Sequence, residues 1–352
     1  MQSTTTIGLD LAKDVFQVHG VDGAQKVTIK RQLRRKDVLE FFTKLPPCLV
    51  GMEACAGAHY WARELRKLGH TVKVMAPRYV KGYAKRAKTD AADAAAICEA
   101  VTRTHVEQVA VKSEAQQCLL MLHKARELLI ATRLSLANAL RAHLAELGLV
   151  AATGHPGFAL LRAKLLDEAD GDIPPAARVA LLPLEAAIGA AERGIAALEG
   201  KIRIAHKVDE TSRRLEAVPT VGMFGATAFA AVAADIKAYR SGRCYAASLG
   251  LTPKIFGTGG EVTLGSITKQ GNGYLRRLLY LGALSQLRVA RAAPHKADPK
   301  LLRLLAEKPF KVAAIALANR TARTIWALIV RGGEYVANHV PAVPVAAKMG
   351  LQ

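Results

Sequence analysis

Two short apolar runs near the start of the chain each close on a carboxylate: Thr6-Ile7-Gly8-Leu9 on Asp10, and Cys48-Leu49-Val50-Gly51-Met52 on Glu53. Runs of this length and apolarity read as short buried strands. Acids at the ends of neighbouring strands converge. Further on, Lys88-Thr89-Asp90-Ala91-Ala92-Asp93-Ala94-Ala95 reads as the start of an Ala-rich helix, with Asp90 and Asp93 three apart and so on one face. A strand end or a helix N-terminus is reason enough for any one of these acids. It is a poor reason for all four in this order. Gathered carboxylates repel unless a cation joins them. Hard oxygen ligands suit Mg²⁺ or Mn²⁺, and two such ions roughly 3.5–4 Å apart are a standard device for phosphodiester chemistry.

The segments between the acids set a fold class. Val15–His19 and Lys26–Lys30 flank Asp22-Gly23, a hairpin turn signal. Arg35 to Leu45 is predicted helical, with Val38, Leu39, Phe42 and Leu45 on one face. After the run to Glu53, a helix around Tyr60 to Leu68 closes at Gly69, and Thr71–Met75 is a fifth strand stopped by Pro77. A basic loop, Arg78 to Lys88, leads to the Asp90/Asp93 helix. The order βββαβαβα, with acids after strands one and four and on the last helix, is the ribonuclease-H-like order. It is predicted for residues 1–112, an α/β domain.

The rest of the chain reads as all-α. Over residues 113–209, Leu122, Leu129 and Leu136 recur at seven, and Leu184, Ile188, Ala191, Ile195, Leu198, Ile202 and Ala205 form an a/d seam. The seam fits an antiparallel coiled-coil arm or a dimer interface. Residues 210–352 are predicted mostly helical. Leu215 to Gly222 followed by Gly225–Ala228 looks like a helix-hairpin-helix, which would offer backbone N–H groups to a DNA phosphate; a tight turn between packed helices fits equally well. A helix from Tyr274 to Arg291 carries Arg276, Arg277, Arg288 and Arg291, and a last one spans about Lys311 to Val330.

Lys and Arg exceed Asp and Glu by 50 to 29, a net charge of +21 spread over the whole length. Such a surface calls for a polyanion, and nucleic acid fits best. With no long uncharged apolar span and no lipidation motif, no membrane partner is expected. The five cysteines are scattered without CxxC spacing, which disfavours disulfides and zinc and points to a reducing, cytoplasmic setting. His59, His143 and His206 lack a second ligand at metal spacing and read as packing or surface residues.

A second chemical signal is the Gly-rich loop after Leu251-Thr252-Pro253. Glycines at 257, 259 and 260 let backbone approach a phosphate and leave the Thr258 hydroxyl unobstructed. A hydroxyl so placed can attack a phosphodiester and hold it covalently, although loop chemistry alone favours the plainer reading of a phosphate-contacting Thr on a flexible loop.

Together, Gly8-Leu9-Asp10-Leu11-Ala12-Lys13, Met52-Glu53-Ala54, Lys88 to Ala94, Leu251-Thr252-Pro253 with its Gly-rich loop, Lys269-Gln270-Gly271-Asn272 and Leu275-Arg276-Arg277 resemble the DEDD transposases of insertion sequences. These are also called bridge-RNA-guided recombinases, and pilin-gene invertases are relatives. The resemblance covers nearly the whole chain. It implies a RuvC-like N-terminal domain, a coiled coil and a C-terminal transposase domain, with Mg²⁺ held by Asp10, Glu53, Asp90 and Asp93. It also implies donor and target DNA as substrates, a structured guide RNA encoded in the element's flank, and assembly as a homodimer or homotetramer. The acids of one subunit would meet the nucleophile loop of another. The family usually carries Ser directly before the Gly-Gly of this loop. Thr258 stands there, with Ser266 nearby, and Thr258 is favoured by its slot.

The expected activity is therefore transposition by a metal-dependent recombinase. The main alternative is a RuvC-like Holliday-junction nuclease using metal-activated water, which would leave the C-terminal region without a task. An actin-like kinase would need glycine where Ala12 stands, and a non-catalytic nucleic-acid-binding protein would leave the four acids unexplained.

Overall fold

The computed structural model describes residues 4–83, 89–106, 108–258 and 261–337. The chain divides into two compact units, Met1–Gln116 and Gln117–Gln352.

The first unit is built on a six-stranded sheet in the order β3-β2-β1-β4-β5-β6. Its strands are β1 (Thr6–Asp10), β2 (Val15–Val21), β3 (Val27–Arg34), β4 (Leu49–Glu53), β5 (Thr71–Met75) and β6 (Gln108–Val109). β1 runs antiparallel to β2 and parallel to β4, and β4 is parallel to β5. Side chains alternate between the faces of a strand. Ile7, Leu9, Val50 and Met52 pack with Phe16, Trp61 and Leu65 beneath α1 (Val38–Thr43) and α2 (Ala58–Lys67). The Phe16 and Trp61 rings meet edge-on at 5.1 Å. Gly8 and Gly51 alternate to the opposite face, against α4 (Asp90–Ala100). Short α3 (Pro77–Val80) and a 3-10 turn, Lys81–Tyr83, stand where a basic loop was expected, and residues 84–88 of that loop lie outside the described ones. β6 was not legible in the sequence.

The second unit opens with α5 (Glu114–Glu146), most of which belongs to it, then α6 (His155–Leu166) and α7 (Pro175–Val208). α6 has no counterpart among the elements read from the sequence. Pro156 occupies its first turn, where a missing N–H costs nothing. α5 and α7 run antiparallel within one chain: Arg126 pairs with Glu199 at 2.6 Å and Arg133 with Glu192 at 3.9 Å, and Gly194 lies against Leu129. The seam therefore faces α5 of its own chain, with Ile188, Ala191 and Ile202 buried. Beyond it come α8 (Glu210–Glu216), α9 (Met223–Ala231), α10 (Ala233–Lys237), α11 (Gly242–Ser248), α12 (Gly273–Ala292), α13 (Pro299–Glu307) and α14 (Phe310–Arg331). Their shared core includes Phe229, Tyr245, Leu279, Leu287 and Ile325. The turn between α8 and α9 is packed rather than open: Thr220 hydrogen-bonds Thr321 at 2.6 Å, and its carbonyl lies against Gly282. His123 is buried and bonded to Tyr274 at 2.8 Å and to Thr227 at 3.0 Å, and burial pushes its pKa down to about 4.

The Gly-rich loop is a β-ribbon. β7 (Pro253–Thr258) and β8 (Glu261–Ile267) pair antiparallel, Thr258 opposite Glu261 and Pro253 opposite Ile267. Gly259 and Gly260 lie outside the described residues.

Candidate active site

The parallel register of β1 and β4 sets the first pair of acids. Leu9 stands beside Met52, so Asp10 and Glu53 follow at the same edge of the sheet. Both share the parity of Gly8 and Gly51, and so face the α4 side. Helix α4 brings the other two. A side chain at Gly8 would lie 2.1 Å from the Ala94 carbonyl, and Cys98 Sγ reaches the Thr6 carbonyl at 3.8 Å. Higher numbers on α4 thus sit over lower numbers on β1. The helix runs antiparallel to the strand and its first turn, Asp90 to Asp93, arrives over the Asp10 end. Thr89 caps that turn, its hydroxyl accepting from the Ala92 N–H at 3.2 Å.

Electrostatics register the convergence. The Asp10 carboxyl is pushed up to about 6, first by burial and then by the negative charges of Asp93, Asp90 and Glu53. Glu53 is also raised, by burial and by Asp93, with Lys81 opposing. The Cys55 thiol is raised by burial and by the Glu53 and Asp10 charges. Lys81 and Cys55 are neighbours of the site that sequence reasoning did not place there. Lys81 sits on a turn more than twenty residues from any of the acids except Asp90 and Asp93, and no spacing rule connects it to Glu53. Among the described residues, no three His, Cys, Asp or Glu side chains are already drawn into a cage that could hold an ion. The four acids share one field of negative charge without being closed around a common point.

Thr258 ends β7 directly before Gly259. Ser266 lies near the other end of β8, five residues beyond Glu261, or roughly 17 Å along an extended strand. Arg288 and Arg291 of α12 are exposed. Arg277 instead pairs with Glu127 at 2.6 Å, and Arg276 bonds two loop carbonyls.

Two family models match the chain: a DEDD transposase model of the IS110 group over residues 7–148, and the transposase model of the IS116/IS110/IS902 family over residues 212–297. A protein of Pseudomonas aeruginosa described as a probable family 20 transposase is 45% identical over 92% of this chain and 96% of its own length. The chain belongs to the IS110 family of insertion-sequence transposases. A putative transposase of Sinorhizobium fredii is 41% identical over 94% of the chain and 85% of its own length. The transposase for insertion sequence element IS1328 of Yersinia enterocolitica is 33% identical over 94% of the chain and 98% of its own. This transposase is thus an enzyme of DNA recombination, with DNA as its substrate. The four acids fall inside the first matched segment, and Thr258 and Ser266 inside the second. No helix among the described residues is long and apolar enough to cross a membrane.

Proposed function

We propose that the transposase moves its element by covalent strand exchange: Asp10, Glu53, Asp90 and Asp93 hold divalent metal, and Thr258 is the nucleophile. The observation that carries this reading is the gathering of four carboxylates at one sheet edge, with Asp10 pushed up to about 6 by burial and by its three acidic neighbours. An all-oxygen, strongly anionic donor set of this kind fits Mg²⁺ or Mn²⁺, even though the acids are not yet closed into a cage. When bound, Mg²⁺ would neutralise the charge that develops on the phosphodiester undergoing attack.

The Thr258 hydroxyl loses its proton and its oxygen bonds to phosphorus, breaking the bond to the deoxyribose oxygen, which takes up a proton and leaves. A deoxyribose hydroxyl of another strand reverses the step, restoring the threonine. No net hydrolysis occurs, so the phosphoester energy is kept. The end of a ribbon suits Thr258 to reach a phosphate, whereas Ser266 stands back toward the ribbon's root. The first unit is read as RuvC-like, followed by a helical arm over residues 113–209 and a transposase domain from residue 210. Guidance by an element-encoded structured RNA, assembly as a dimer or tetramer with acids and nucleophile from different subunits, and action in the cytoplasm complete the reading.

An excision assay on the native element tests it. Asp10→Asn, Glu53→Gln, Asp90→Asn and Asp93→Asn should each lower excision at least about a hundredfold while DNA binding persists, because one missing ligand misplaces the phosphate. Near-normal excision by any of the four would remove that acid from the site.

A further inference from the structure

We infer that Arg276 is a positioning residue for strand exchange: its guanidinium clasps the two segments that enter and leave the β7–β8 ribbon, and so fixes where the end of the ribbon is presented. The inference rests on the reading of Thr258 as nucleophile. The residue lies in the first turn of α12, on a helix whose arginines would ordinarily be assigned to phosphates. Its Nη1 instead donates to the Leu249 carbonyl at 2.9 Å and to the Gln270 carbonyl at 2.6 Å. Leu249 precedes β7 and Gln270 follows β8, so one side chain spans both roots of the ribbon.

The crossing it closes is tight. A side chain at Gly250 would stand 2.4 Å from the Gln270 N–H nitrogen, and one at Gly271 would stand 1.9 Å from the Ser248 carbonyl; both residues have φ of +69°. Only glycine meets both demands at once. Lys269, which lies against Gly250, is held at φ +55°, a region costly for a residue with a side chain. Two further bonds tie the segments together, Lys269 N–H to the Gly250 carbonyl at 3.2 Å and Thr268 N–H to the Thr252 carbonyl at 2.9 Å. Beyond this root the ribbon is exposed: Ile255, Phe256, Val262 and Leu264 are each more than half accessible. With these described residues open to solvent, the direction of the ribbon is set at its base. Both bonds come from one planar NH2 group whose hydrogens point in fixed directions from a delocalised guanidinium, whereas a lysine ammonium turns freely on a flexible stem and does not hold the two carbonyls at a set angle. Loss of this clasp leaves the two backbone bonds, so the ribbon should swivel rather than unfold.

The test uses the full-length protein with DNA from its own element's ends, comparing wild type with Arg276→Gln and Arg276→Lys. Hydrogen exchange should quicken between Lys254 and Ile267 in both variants and stay unchanged in α14. Formation of the covalent protein–DNA adduct should slow at least about tenfold, as misplacement of a nucleophile predicts. The dissociation constant for DNA and its dependence on salt should hold within about twofold, because no phosphate contact is lost. Unchanged exchange in the ribbon would overturn the inference. So would a salt slope lowered by about one with full activity restored by lysine, the signature of a phosphate contact. Where the glutamine variant does not fold, the lysine variant decides by the same readouts. An adduct mapped to a residue other than Thr258 would refute the nucleophile assignment, and the exchange measurement would still decide the clasp.

Discussion

Asp10 is the residue on which the account leans most, and its environment makes a thermodynamic prediction. Its carboxyl ionises near pH 6 in the folded chain, against 3.8 as the ordinary value. A raised pKa means that the folded state binds the proton more tightly, so stability is fullest below about pH 4 and is lost as pH rises through 6. In the metal-free protein, Asp10→Asn should therefore be more stable than wild type at pH 7.5. The gain is about 1–2 kcal/mol, after discounting the full shift for the half of the group that water screens. The two proteins should converge as pH falls toward 4. Added Mg²⁺ should raise the melting temperature of wild type and do little for the variant. Thermal melts at two pH values, with and without Mg²⁺, check this; a wild type already as stable as the variant at pH 7.5 without metal would mean that the acids do not repel as described.

Among the elements, β1, β4, β5 and the start of α4 were legible because apolar runs and a capped alanine helix are local signals, each readable without its neighbours. The convergence of their acids depends on more. It needs the parallel register of β1 with β4, and a strand thin enough at Gly8 for α4 to lie against it. Gly8→Ala should thus push the helix off the strand, costing about 1–3 kcal/mol by overpacking. It should also abolish the stabilisation by Mg²⁺, and a Gly8→Ala protein with a normal melting temperature and a normal Mg²⁺ response would refute this packing role. The β7–β8 ribbon was hidden by its glycines and by its lack of any buried face, since strand patterns are read from alternation against a core. Helix α6 was hidden by Pro156, a helix breaker everywhere except the first turn it occupies. The α7 seam was legible as a seam, but its partner was not: ion pairs to α5, far away in sequence, supply the answer.

For the whole molecule, a charge of +21 should make binding to DNA and to a guide RNA steeply salt-dependent. If six or more phosphates are contacted, affinity should fall about a thousandfold or more between 50 and 200 mM salt. Fluorescence anisotropy across that range measures the slope, and a nearly flat one would contradict a broad basic interface. The acids and Thr258 belong to different compact units of the chain, yet in the proposed reaction they act together. A cleavage trap followed by peptide mapping decides whether they do. With Mg²⁺ present, wild type should yield a covalent protein–DNA adduct on Thr258. Thr258→Ser should yield it as well or better, because losing the methyl relieves crowding at phosphorus. Thr258→Val and Asp10→Asn should bind DNA and yield none. An adduct on Ser266, or one that forms equally well in Asp10→Asn or without divalent metal, would contradict the account.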